Sequence, residues 1–174
     1  MALPFFTIGH SNRSLADFVA LLHESEVRLI VDVRAFPRSR TNPSFNEDAL
    51  PGALAPEGIA YRHLAALGGR RRKSELVPIE TNGFWTHQSF HNYADYGLTE
   101  AFHSGLARLC TLGQEPRCAI MCAEAVWWRC HRRIIADYLI AAGKTVFHIL
   151  GPGRIVPARM TAAAQLGPDG SLTY

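Results

Sequence analysis

Cysteine is scarce in this chain, no charge of one sign dominates, and long apolar runs are missing; each absence removes a class of protein. Four cysteines in 174 residues are too few for a disulfide scaffold. No run approaches the roughly 20 apolar residues that span a bilayer, and no block recurs at a fixed period. Membrane-spanning and repeat architectures are therefore excluded. Lys and Arg number 18 against 15 Asp and Glu, a net charge of +3 with pI near 8.8. That mild basicity permits an anionic small molecule or a nucleic acid as partner without demanding either. The start MALPFFTIGH has neither a basic leader region nor an extended apolar one, so a cytoplasmic location is the expectation.

What is present is a hydrophobic content of 48%, enough for one compact domain over residues 1–174. Pro4 to Ile8 reads as a first strand that exits through Gly9, His10, Ser11 and Asn12. Ser14 to Asp17 resembles a capping box, and Leu15, Phe18, Val19 and Leu22 follow at helical spacing. Arg28 to Arg34 is a continuous apolar run turning charged at its end, the mark of a buried parallel strand. From Phe36 to Gly58 the chain reads as loop with a short helix, and Ile59 to Leu64 as a third strand. Residues 65–97 hold the basic run Arg70 to Lys73 and many aromatics without a clean period, and are expected to form an irregular insertion. A helix ending at Gly113, a strand over Cys118 to Cys122, a helix over Arg129 to Ala142 and a strand over Thr145 to Leu150 complete the alternation. The predicted fold is α/β: a mostly parallel sheet with helices on both faces, three-layered and Rossmann-like, with a reduced barrel as the less favoured relative.

Ligands of open parallel sheets bind beyond the C-terminal ends of the strands. Those ends here carry His10 and Ser11, then Asp32, Arg34 and Ser39, then His63, then Cys122 and Glu124; the next helix opens with Cys130, His131 and Arg132. Each residue has a plain reading beside a chemical one. Cys122 is a core thiol, or a nucleophile or metal ligand whose thiolate is stabilised by a helix N-terminus. Cys130 is a second thiol or core filler. Glu124 is a solvated carboxylate or a general acid or base, and His131 is a packing residue or a base that titrates near neutrality. Asp32 and Arg34 pair structurally, or Arg34 joins Arg132 in gripping a phosphate or carboxylate. His10 is a turn histidine or a substrate contact. Trp127 and Trp128 shield the pocket or wedge against a planar substrate, and the aromatic insertion is a packed lid or a stacking platform.

The combination Thr7-Ile8-Gly9-His10-Ser11, Asp32-Val33-Arg34 with Pro37 and Ser39, Leu67-Gly68-Gly69, and Cys122-Ala123-Glu124 followed by Cys130-His131-Arg132 resembles the family called domain of unknown function 488 over about residues 5–155. The resemblance implies a small cytoplasmic α/β protein whose motif residues fall on the positions singled out above. It implies no reaction.

The leading functional expectation is an enzyme with Cys122, Glu124, Cys130 and His131 at its centre, acting on a phosphate-bearing small molecule, nucleotide or nucleic acid that Arg34 and Arg132 anchor. A rhodanese-like sulfur transferase is an alternative, although two tryptophans replace the small-residue loop that cradles an anion in such enzymes. A metal site from His10, Cys122, Glu124 and His131 is another, although seven residues between Cys122 and Cys130 match no zinc motif. The last is a nucleic-acid-binding module without catalysis. No pattern specifies a cofactor.

Overall fold

The computed structural model describes residues 1–174. In chain order the elements are β1 (Phe5–Gly9), α1 (Leu15–Glu24), β2 (Leu29–Asp32), α2 (Leu50–Leu54), β3 (Ala60–His63), α3 (Gln88–Tyr96), α4 (Glu100–Leu112), β4 (Cys118–Cys122), α5 (Arg132–Ala141), β5 (Val146–Gly151), β6 (Arg154–Pro157), β7 (Gln165–Leu166) and β8 (Leu172–Thr173). Six strands form one sheet in the order β3-β2-β4-β1-β5-β6. The first five run parallel and β6 returns antiparallel beside β5.

Side chains alternate across the sheet and divide the core in two. Phe6, Ile8, Ile30, Ala119 and Met121 face Phe18, Leu21 and Leu22 of α1 and Leu50 and Leu54 of α2. Phe5, Val31, Cys118, Ile120 and Cys122 face Phe102 and Leu109 of α4 and Ile134, Ile135 and Leu139 of α5. Each such side chain contributes about 1.5–3 kcal/mol when fully buried, which fixes which helix face points inward. The helices start as their sequences direct. Ser14 Oγ accepts the Asp17 N–H at 3.1 Å, and Thr99 Oγ1 accepts the Phe102 N–H at 3.3 Å.

Three details depart from the sequence-based expectation. The 65–97 segment contains a true helix, α3, whose Tyr93 and Ala94 are buried while most of its other residues are polar, so its apolar stripe is too narrow to show a period. Residues 127–129 form a single 3-10 turn, and α5 begins only at Arg132. The terminal strands β6 to β8 were not anticipated, because each is short and lies on an edge.

The topology positions the site. From β1 the chain crosses to β2 on one side, and from β4 it crosses to β5 on the other, although β1 and β4 are neighbours with Gly9 paired to Cys122. Their exit loops diverge and leave a crevice between them, the switch point at which open α/β sheets bind ligands.

Candidate functional site

A cleft of about 530 Å³ lies at this crevice. Its floor is His10, Cys122, Cys130 and His131, and its walls include Phe36, Ser39 and Phe90. Four arginines, Arg34, Arg38, Arg70 and Arg129, line it against the single carboxylate of Glu124. The field inside therefore favours an anion.

Gly9 allows the β4 loop to fold back over the strand end. A Cβ there would lie 1.8 Å from the Glu124 carbonyl oxygen. That carbonyl accepts Arg132 Nη2–H at 2.6 Å. Arg132 is 1% exposed, and its remaining donors reach Thr7 Oγ1 at 3.2 Å and Cys130 Sγ at 3.4 Å from Nε, while its backbone N–H also meets Cys130 Sγ at 3.4 Å. No carboxylate stands within 4.0 Å of the guanidinium. A buried cation requires an anionic partner, and the group facing this one is Cys130.

Cys130 responds accordingly. Burial pushes its thiol up, but the hydrogen bond from Cys122 and the positive charges of His131 and Arg132 outweigh it, and the net direction is well below the ordinary thiol value. Cys122 Sγ lies 2.8 Å from Cys130 Sγ, and both cysteines are free. With Cys130 as thiolate, Cys122 is the donor. Burial and the neighbouring thiolate hold the Cys122 thiol well above its ordinary value. Cys122 closes β4, whereas Cys130 lies one residue before the N-cap of α5, His131, and takes the Arg132 N–H.

The imidazole of His131 is fixed by a carbonyl. Nε2 lies 2.8 Å from Val33 O, which only accepts, so Nε2 carries the proton and Nδ1 faces Cys130 Sγ at 3.5 Å. Gly69 makes room for that ring, since a Cβ would stand 2.4 Å from Nδ1. Behind Arg132, Thr7 Oγ1 accepts from Nη1 and hydrogen-bonds His148 Nδ1 at 2.7 Å. Burial first, and then the Arg132 charge, push His148 down to about 3. Its neutral ring stacks on Trp127 at 4.4 Å.

Arg34 is locked by Asp32, which is fully buried. Its Nε donates to Oδ1 at 3.0 Å and Nη2 to Oδ2 at 2.7 Å, and the Tyr61 hydroxyl donates to the same carboxylate. Nη2 also reaches Phe45 O at 2.6 Å, and one Nη1–H goes to His10 Nε2 at 3.2 Å. The other Nη1–H has no protein partner. His10 donates from Nδ1 to Ser11 O at 2.8 Å; burial lowers its pKa and it accepts from Arg34 as a neutral ring.

Of the candidate residues, Cys122, Glu124, Cys130, His131, His10, Arg34 and Ser39 line the cleft. Three others do not. Arg132 is walled off behind Cys130 and cannot grip a substrate. Asp32 positions Arg34, and Ser11, with left-handed φ of 47°, contributes its carbonyl to His10. Glu124 is exposed and its carboxylate makes no hydrogen bond; the atom that Arg132 uses is its main-chain oxygen. No group of three or more His, Cys, Asp or Glu comes together with metal-ligating geometry, so the four ligands considered for a metal remain apart. The basic run is divided as well. Arg70 lines the cleft, whereas Arg71 donates to Gly68 O and Ala65 O and packs 3.7 Å over the Tyr96 ring. Thr7, Gly9, Gly69, Tyr61 and His148 escaped sequence reasoning as individual roles, because each acts through a contact distant in the chain. Trp127 turns to His148, and of the insertion's aromatics Phe90 of α3 lines the cleft beside Gly69, Arg70 and Ser89.

A family model described as Domain of unknown function DUF488 matches residues 14–139. The chain belongs to that family. The match takes in β2, β4 and the cysteine-bearing loop up to α5, while His10 lies outside it. No curated protein and no solved structure matches the chain. DUF488 membership thus agrees with the α/β fold and names no reaction. No helix of the chain is long and apolar enough to cross a membrane.

Proposed function

We propose that this DUF488 protein is an enzyme that uses Cys130 as a thiolate nucleophile on an anionic substrate held in the arginine-lined cleft. One observation carries the reading: Arg132 is 1% exposed, has no carboxylate partner, and directs Nε–H and its backbone N–H at Cys130 Sγ. Under this reading Cys122 donates to the thiolate, His131 Nδ1 takes up the proton that Cys130 gives up, and Arg34, Arg70 and Arg129 receive the substrate's negative charge. Glu124, at the rim, meets the substrate as a polar contact, and His10 holds the Arg34 fork.

Pairing anionic iodoacetate with neutral iodoacetamide tests both halves. On reduced protein, peptide mapping across pH should find Cys130 alkylated at pH values where an ordinary thiol, with pKa of about 8.5, is protonated. Iodoacetate should gain on iodoacetamide at low salt and lose that gain in Arg129→Ala. A Cys130 that reacts only above about pH 9 in both wild type and Cys122→Ser would overturn the proposal. If nucleic acid instead bound with salt-dependent affinity unaffected by Cys130→Ser, a binding module without catalysis would replace it.

A further inference from the structure

We infer that Cys130 and Cys122 form a dithiol–disulfide couple, giving the cleft a thiol–disulfide exchange activity toward small disulfides that carry carboxylates. The inference rests on the thiolate reading above and adds an activity and a substrate class to it.

Geometry is the first support. The two sulfurs are 2.8 Å apart, and a disulfide bond is about 2.05 Å long, so bonding needs less than about 1 Å of approach. The residues come from the end of β4 and from two positions before α5, joined by a loop of seven residues that Arg132 and Gly9 hold in place. Chemical asymmetry is the second. An exchange centre needs one attacking thiolate and one thiol held in reserve, and Cys130 and Cys122 divide those roles. Access is the third: both cysteines line the cleft, and Arg129, adjacent to Cys130, is exposed with no carboxylate partner. A carboxylate on the incoming disulfide meets that charge beside the attacking sulfur.

The steps balance without a further reactant. Cys130 thiolate attacks one sulfur of R–S–S–R, forming the Cys130–S–S–R bond and releasing R–S⁻, which takes a proton from water. Cys122 then attacks Cys130 Sγ, the second R–S group leaves, and the Cys122 proton departs with it as R–SH. The small disulfide gains two electrons and the cysteine pair loses two. Because Arg132 and His131 stabilise the thiolate, the reduced pair is favoured, and excess R–SH drives the reaction back.

The test incubates reduced wild-type protein with excess oxidised glutathione and, in parallel, with cationic cystamine. Mass spectrometry should show loss of two hydrogens per chain, a Cys122–Cys130 linked peptide and two equivalents of released thiol. Added reduced glutathione should reverse the change. Cys122→Ser should stop at one glutathione adduct on Cys130. At low salt oxidised glutathione should react at least about tenfold faster than cystamine, an advantage that shrinks in high salt and in Arg129→Ala. A wild-type protein that keeps both thiols, or stops at the mixed disulfide, would overturn the couple; equal rates for the two reagents would overturn the anionic substrate class. If Cys122→Ser still forms the adduct while wild type never closes its disulfide, the nucleophile stands and only the couple is lost. A Cys130 inert to every reagent removes both.

Discussion

Replacing Gly9 by Ala should damage fold and site together. The added Cβ would sit 1.8 Å from the Glu124 carbonyl oxygen, and 2.6 and 2.9 Å from Glu124 C and Ala125 Cα, all main-chain atoms. Real Cβ contacts are essentially never shorter than 3.0 Å, so at least 1.2 Å of separation must open. Neither side yields easily. Gly9 pairs with Cys122 in the sheet, and the loop is pinned by His10 N–H to Cys122 O at 2.9 Å and Ser11 N–H to Ala123 O at 3.0 Å. Overpacking of this kind costs about 1–3 kcal/mol. Movement of the Glu124 oxygen also strips a buried guanidinium of its shortest hydrogen bond, which adds about 1.5–3 kcal/mol. A loss of about 3–5 kcal/mol corresponds to a fall in Tm of roughly 10 °C or more for a domain of this size. Thermal and urea unfolding of Gly9→Ala measure it, with Gly52→Ala in α2 as control. There a Cβ meets nothing within 4 Å, and the helix should gain about 0.5–1 kcal/mol. The reasoning is refuted if Gly9→Ala unfolds within about 1 kcal/mol of wild type and Cys130 alkylates at an unchanged rate.

Asp32→Asn leaves Arg34 buried without its carboxylate and should lower stability by about 3–5 kcal/mol, read from the urea midpoint at constant slope. Gly69→Ala places a Cβ 2.4 Å from His131 Nδ1; it should leave the fold nearly intact yet slow Cys130 alkylation by roughly tenfold or more. Acid should weaken the fold through His148. Its folded pKa of about 3 lies below the unfolded value of about 6.5, so the unfolded chain takes the proton first and stability falls as pH drops from about 6.5 towards 3. Between pH 7 and 4.5 this group alone accounts for roughly 2–3 kcal/mol, His10 acts in the same direction, and His148→Gln should flatten the profile measured by urea unfolding.

The frame of this protein was legible because its signals are local. Apolar runs at 28–34 and 118–122 read as buried strands, Ser14 read as a cap, and strand ends carrying polar residues pointed to one rim. Locality also marks where legibility stopped. Cys122 and Cys130 both stood out, but which one the proposed chemistry assigns as thiolate depends on a guanidinium whose three partners come from β1, the β4 loop and the segment just before α5. Arg132 looked like an anion contact because its sequence position gives no hint that it is walled off. Asp32 and Arg34 read as either structural or functional; they form a buried pair in which only Arg34 lines the cleft. The α3 helix escaped notice because too few apolar residues face the core to set up a period.

The order of strands in the sheet differs from their order along the chain, and this governs when the surroundings of the cysteine pair are assembled. β1 is made first but lies between β4 and β5, with Phe6 beside Ala119 and Phe147. Long-range parallel pairings of this kind form late. During synthesis, Thr7 and Gly9 wait unpartnered until β4 has emerged, and Arg132, ten residues further on, gains Thr7 as a partner only once β1 and β4 have paired. Under the proposed thiolate reading, Cys130 acquires its activated state only when the central sheet closes, so an unfinished or misfolded chain carries ordinary thiols.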